Sequence, residues 1–91
     1  MQYELMIVLR PDLTEEELKF KIEEVKKLVT DGGGEVVGEN AWGERALAYS
    51  INHFEEGVYH FFELELDPSQ VKDLEKKLNL ADDLLRFLIV R

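Results

Sequence analysis

Apolar and polar residues alternate along four stretches of this chain in the manner of β-strands. With a period of two, successive side chains point to opposite faces of a sheet, so alternation marks a strand with one covered face. The first stretch is almost continuously apolar, which is typical of a central strand. Its Leu5, Ile7 and Leu9 form one face, while Met6 and Val8 share the other with Glu4. The four predicted strands are residues 3–9, 35–51, 58–66 and 84–91.

Between the first two strands the apolar period changes from two to three and four, which predicts an amphipathic helix. Thr14 suits the N-cap, with Glu17 three residues later as the partner in a capping box. The glycines at 32–34 end the helix and supply left-handed positions. The apolar stripe of this helix consists of Leu18, Ile22, Val25 and Val29. Phe20 lies off that stripe and is expected to be exposed.

A second helix is predicted between the third and fourth strands. Asp67 is its N-cap, Pro68 its first residue and Gln70 its reciprocal capping partner. Its apolar stripe is Val71, Leu74 and Leu78. The segments at 52–57 and 81–83 are predicted to be a turn and a connector.

The predicted order is therefore β-α-β-β-α-β in one domain covering residues 1–91. Right-handed crossovers place both helices on the same side of the sheet. The expected fold is an α+β, ferredoxin-like sandwich with a four-stranded antiparallel sheet, in which the first and third strands are central. The other sheet face stays open, and it is expected to carry Met6, Val8, Tyr59, Phe61, Leu88 and Val90. Such an apolar face is typical of a partner surface or of strand propensity alone.

Composition narrows the function classes. Without cysteine, the chain has no disulfides, thiolate metal sites or thiol nucleophiles. No apolar run approaches the roughly 20 residues that span a bilayer, and no signal peptide is visible, so a cytoplasmic location is expected. The net charge is −9, from 11 basic and 20 acidic residues. Nucleic-acid binders usually carry a basic footprint, so this acidity favours a solvated surface over a broad RNA-binding one.

Three other kinds of chemistry have only weak support in the sequence. Acylphosphatases share this element order and use an arginine in the loop after the first strand, but the loop at Arg10 has no glycine-rich anion nest. A metal site would use His53, His60 and the acids at 82–83, yet their spacing is not that of metal ligands. An RNA-recognition motif would stack bases on strand aromatics, but the positions at Val58 and His60 do not match it.

One stretch carries a family resemblance. Residues 42–51 read W-G-E-R-A-L-A-Y-S-I, and the pattern W-G-x-R-x-L-A-Y-x-I resembles the signature of the bacterial small-subunit ribosomal protein six family. A Tyr-Glu pair opening the first strand, Pro11 after it and a strand opening at Gly57 agree with that family.

The resemblance implies a structural protein of the cytoplasmic ribosome. Such a protein binds central-domain RNA of the small subunit together with small-subunit ribosomal protein eighteen, and it needs no cofactor, catalytic site, membrane or small-molecule substrate. The positions that match the family's RNA-binding surface are Tyr3, Arg45, His53, Arg86 and Arg91. Arg45 and Arg86 are the expected phosphate contacts. The alternatives are ion pairs of Arg45 with Glu44 or Glu63 and of Arg86 with Asp83.

Several positions depart from the family pattern. Gln2 and Ala46 stand where basic residues are common, Glu44 stands where a cation or an apolar group is frequent, and Ser50 replaces a usual proline. The regular capping residues also look idealised. An alternative hypothesis is therefore an engineered or redesigned protein on this ribosomal-protein scaffold, with RNA binding weakened or lost.

Overall fold

In the computed structural model, which describes residues 1–91, the elements follow the predicted order β-α-β-β-α-β. A short 3-10 turn, Pro68–Gln70, leads directly into the second helix. The elements are β1 (Gln2–Leu9), α1 (Glu15–Asp31), β2 (Glu35–Ile51), β3 (Phe54–Glu65), α2 (Val71–Asn79) and β4 (Leu84–Val90). The four strands form one sheet in the order β2-β3-β1-β4, and every neighbouring pair is antiparallel. The prediction that β1 and β3 are central is confirmed.

Helix α1 begins as its capping residues predict, whereas α2 begins at Val71, three residues after the predicted Pro68, behind the 3-10 turn that Asp67 caps. Thr14 accepts a hydrogen bond from the backbone N–H of Glu17, and the Glu17 side chain accepts one from the backbone N–H of Thr14. Asp67 and Gln70 form the same reciprocal arrangement ahead of α2. Each capping box satisfies N–H groups that the first helical turn leaves unpaired. Helix α1 ends at Asp31 with Gly32 as its C-cap, and Gly33 adopts the left-handed conformation with φ of +90°.

The core lies between the helices and one face of the sheet. Alternate residues of β1 and β3 point into it and are almost completely buried, among them Leu5, Ile7, Phe62 and Leu64. The helices add the buried residues Val25, Val29, Leu74 and Leu78 to the same cluster. Because all of these residues belong to one cluster, both helices cover the same sheet face, as predicted. Phe20 is 64 % exposed, also as predicted.

A polar contact ties α1 to the sheet at the edge of this core. His60 of β3 is buried, and its Nε2 lies 2.7 Å from Glu39 Oε2 of β2. Lys26 of α1 binds the other oxygen of the same carboxylate. Burial alone would raise the pKa of Glu39, but the hydrogen bonds to Lys26 and His60 outweigh that effect and hold the pKa below its ordinary value of 4.5.

The predicted turn at residues 52–57 is wrong in its extent. Only Asn52 and His53 form the turn, and both have positive φ, at 50° and 70°. Two such residues match the twist of a hairpin. The ladder therefore resumes at once: Ile51 faces Phe54, and β3 begins four residues earlier than expected. Glu55 and Glu56 looked like turn residues, but they are exposed in the structure, so their charges are tolerated in the strand.

Candidate nucleic-acid interface

No helix covers the sheet face opposite α1 and α2. It carries half-buried Met6, Tyr59 and Phe61 in the central strands, and Leu88, 61 % exposed, with Val90 in the edge strand β4. In the antiparallel register Met6 lies between Phe61 and Leu88, so these apolar side chains form a continuous row. We call this surface the open face.

A bulge in β2 places an aromatic and a cation on the open face. The register shifts between Ala41 and Gly43, and Gly43 has φ of +81°. Residues with a Cβ rarely adopt this conformation. The ring of Trp42 stacks on Phe61 with 6.2 Å between ring centres. The guanidinium of Arg45 lies 6.0 Å from the centre of the Trp42 ring, and Arg45 Nε donates a hydrogen bond to the Trp42 carbonyl oxygen at 3.2 Å.

The end of the β2–β3 hairpin extends beyond the other strands. We call residues 44–57 the arm. At its base a Cβ on buried Gly57 would lie only 2.4 Å from Val8 Cγ1 and 3.5 Å from Leu47 Cδ2. Gly57 of the arm therefore lies against Val8 of β1, and the Leu47 side chain lies beside Gly57. This contact explains why Val8, expected on an open surface, is only 4 % exposed, so that part of the sequence prediction is wrong.

A second, wider bulge lets the arm reach the far edge of the sheet. Ala46 faces Glu56 and Ile51 faces Phe54, so five residue steps on β2 oppose only two on β3. The intervening segment carries Tyr49, whose ring centre lies 5.0 Å from the guanidinium carbon of Arg86 in β4. Arg86 Nη2 also donates a hydrogen bond to the Tyr49 hydroxyl. A residue of one edge strand thus contacts a residue of the other.

The two arginines of this face have no carboxylate partner within 4.0 Å. Neither Glu44 nor Glu63 pairs with Arg45, and Asp83 pairs with Arg10 and Lys21, at 3.6 Å and 3.3 Å, instead of Arg86. Arg10 differs from them: it also binds Asp12, and that hydrogen bond raises the pKa of Arg10. In a chain of net charge −9, Arg45 and Arg86 are therefore positive groups that remain available.

The five sequence-predicted residues fall in three places. Arg45 and Arg86 lie on the open face, in the two edge strands of the sheet, and exposed His53 lies at the tip of the arm. Arg91 follows β4 at the opposite end of the sheet, beside Gln2, Glu4 and Glu63. Tyr3 is 7 % exposed and belongs to the core, with its hydroxyl near the sulfur of Met1.

Trp42, Tyr49 and Phe61 were not among the sequence-predicted RNA-binding residues. The sequence pointed to Trp42 only through its position before Gly43 in the signature. Its contact with Phe61 could not be predicted, because that contact depends on the bulge in β2. For Tyr49 no local signal exists, because its partner is 37 residues away.

The two histidines lie in different parts of the fold. No group of three or more His, Cys, Asp or Glu side chains is arranged to hold a metal ion. His53 is at the arm tip, whereas His60 is buried against Glu39. Neither helix combines the length and the apolar character that crossing a bilayer requires.

Comparison with known proteins gives one consistent answer. The family model described as ribosomal protein S6 matches residues 2–91. Small ribosomal subunit protein bS6 of Symbiobacterium thermophilum is 39 % identical over 90 residues, which is 99 % of this chain and 95 % of that protein. The bS6 of Caldanaerobacter subterraneus is 43 % identical over 89 residues, covering 98 % of this chain and 94 % of that protein.

A solved structure agrees with the sequence relatives. The crystal structure of 30S ribosomal protein S6 from Thermotoga maritima superposes with a TM-score of 0.93 at 28 % identity, covering 99 % of this chain and 85 % of that one. Nothing in these matches supports an engineered origin. The relatives are structural proteins and not enzymes. The chain belongs to the ribosomal protein S6 family.

Proposed function

We propose that this protein is a structural component of the bacterial small ribosomal subunit. In this role it binds central-domain ribosomal RNA jointly with small-subunit ribosomal protein eighteen, in the cytoplasm. Membership of the S6 family supports the role in the subunit. The open face and the arm support the binding function, because they combine free cations with exposed apolar groups.

The observation that carries the RNA contact is the pair of unneutralised arginines, Arg45 and Arg86. Their guanidinium groups lie against Trp42 and Tyr49. No carboxylate within 4.0 Å competes for their N–H donors. Arginine recognises phosphate through paired N–H donors, and such contacts fix a protein on RNA without reading its sequence. A few well-placed contacts of this kind suffice when a second protein shares the RNA site.

The apolar part of the open face supports a protein partner. Trp42 is 45 % exposed and Leu88 is 61 % exposed, beside half-buried Phe61 and Met6. Contiguous exposed apolar residues rimmed by charge are typical of protein interfaces. We therefore assign this row to protein eighteen and the arginines at its margin to the RNA.

His53 and Arg91 are the secondary RNA contacts in this proposal. His53 projects from the arm tip. Arg91 is separated from Arg86 by five residue steps of extended chain, or about 16 Å. Tyr3 is too buried for a large contact, and we propose that it stabilises β1 instead.

The test is a titration of a central-domain RNA fragment with this protein and protein eighteen at several salt concentrations. We expect saturable binding whose affinity falls as salt rises, because phosphate contacts release counterions. Arg45→Ala and Arg86→Ala should each weaken binding about tenfold and reduce the salt slope by about 0.9.

Lys76→Ala is the matched control, since it removes one positive charge from exposed α2 in the helical layer. It should leave both the affinity and the slope almost unchanged. Absence of saturable binding by the unaltered protein at low salt would overturn the proposed function. Equal losses in all three variants would point to net charge and remove the site assignment.

A further inference from the structure

The contact between Tyr49 and Arg86 joins two parts of the fold that no backbone hydrogen bond connects. Strands β2 and β4 are the two edges of the sheet, with β3 and β1 between them. Tyr49 is 56 % exposed, so its ring is not held by burial in the core. Its specific neighbour is Arg86, which meets it through both the ring face and the hydroxyl.

The backbone around Tyr49 is built to make this contact possible. An ordinary hairpin would keep residues 47–50 paired with β3, at the far edge from β4. The wide bulge between Ala46 and Ile51 adds three residues to β2, and Leu47 anchors the bulged segment beside Gly57, which in turn lies against Val8. Val8 is the register partner of Arg86, so the anchor delivers Tyr49 to the neighbourhood of that arginine.

The contact also determines what Arg86 can do. An exposed arginine on an edge strand samples many rotamers, and fixing it on binding costs about 0.5–1.5 kcal/mol. Stacking on Tyr49 and donating to its hydroxyl confines the guanidinium before any ligand arrives. The hydrogen bond occupies Arg86 Nη2, and the remaining N–H groups of the guanidinium stay available for a phosphate.

We propose that Tyr49 is a positioning residue that presents Arg86 to an RNA phosphate. This inference rests on the proposed function, and it adds a residue that contacts the RNA-binding group and not the RNA itself. It predicts that the arm and β4 form one recognition unit, in which the arm sets the orientation of a side chain on the opposite edge.

The test compares Tyr49→Leu, Arg86→Ala and the double variant in the RNA titration with protein eighteen. Tyr49→Leu keeps an apolar residue but removes the ring and the hydroxyl. We expect it to weaken binding about fivefold, the equivalent of about 1 kcal/mol of lost preorganisation. The double variant should bind within about twofold of Arg86→Ala alone, because Tyr49 acts only through Arg86. Tyr49→Phe, which keeps the ring, should fall between Tyr49→Leu and the unaltered protein.

Phe20→Leu is the matched control, since Phe20 is a similarly exposed aromatic on α1, away from this surface. It should leave affinity unchanged. A measurement on the free protein separates this inference from the proposed function: the Arg86 Nε–H resonance should shift in Tyr49→Leu and stay in place in Phe20→Leu.

The combined results show whether the proposed function fails or only the positioning role of Tyr49. If the unaltered protein binds no RNA, the proposed function and the positioning role both fail, even if the Arg86 resonance shift is observed. If Arg86→Ala weakens binding but Tyr49→Leu does not, the inference alone fails. Independent, multiplicative losses in the double variant would also overturn it, because they would mean that Tyr49 contacts the RNA directly.

Discussion

The placement of the arm depends on a close contact at Gly57, and a double-mutant cycle can measure it. In Gly57→Ala the new methyl group would lie 2.4 Å from Val8 Cγ1, far inside van der Waals contact, at a buried position. Overpacking of this kind costs about 2 kcal/mol, and the stiffer unfolded chain offsets roughly 0.5 kcal/mol of it. We expect a net loss of about 1.5 kcal/mol in the free energy of unfolding.

Val8→Ala tests whether Val8 is the obstacle. Val8 is only 4 % exposed, and the substitution removes two methyl-sized groups from its site. Alone it should lower the free energy of unfolding by about 2 kcal/mol. In the double variant the added methyl meets no Cγ1 and fills part of the cavity. Its loss should therefore be about 1.5 kcal/mol, against roughly 3.5 kcal/mol for independent effects.

The assay is unfolding in urea, monitored by the fluorescence of Trp42 and by circular dichroism. Gly43→Ala is the control, since its methyl would meet no atom within 4 Å and Gly43 has φ of +81°. Its loss of about 1 kcal/mol would come from backbone strain alone. Val8→Ala should not rescue it. Additive losses for Gly57→Ala and Val8→Ala would refute the packing of the arm against β1.

Three further predictions concern separate features. Thr14→Ala removes the N-cap of α1. It should lower the free energy of unfolding in urea by about 1 kcal/mol; an unchanged midpoint would contradict the capping box. His53→Gly replaces a residue at φ of 70°. It should increase the free energy of unfolding by about 0.5–1 kcal/mol and so raise the melting temperature. A lower melting temperature would contradict the turn geometry. Because the folded-state pKa of Glu39 is lowered, its stabilising contribution is present above the ordinary value of 4.5 and is lost as pH falls through the folded pKa. Glu39→Gln should therefore be less stable than the unaltered protein at pH 7 and equally stable near pH 2, as thermal melts across this range would reveal; a constant difference would exclude that carboxylate as the cause.

Most of the fold followed from short-range patterns. The capping pairs at Thr14 and Asp67 and the apolar stripes of both helices are set by residues three and four apart, so the sequence displays them directly. The crossover rule then placed both helices on one face without further information.

The features that the sequence did not reveal depend on contacts between distant residues. The turn was predicted too long, at 52–57 instead of Asn52 and His53, because glycine and acidic residues such as those before Gly57 are typical of turns. Val8 was predicted to face solvent, because the sequence of β1 does not indicate that the arm, with Leu47 and Gly57, lies over it. Arg86 was singled out from the family resemblance, but its tyrosine partner required the bulge and the sheet order together.

We propose that the open face and the arm, and not the helical layer, contact the RNA and protein eighteen. Amide resonances of labelled protein can be followed while protein eighteen and a central-domain RNA fragment are added. We expect the largest shifts at Trp42, Arg45, Tyr49 and Arg86, with α1 and α2 almost unaffected. Shifts concentrated on the exposed faces of α1 and α2 would contradict this assignment of the binding surface.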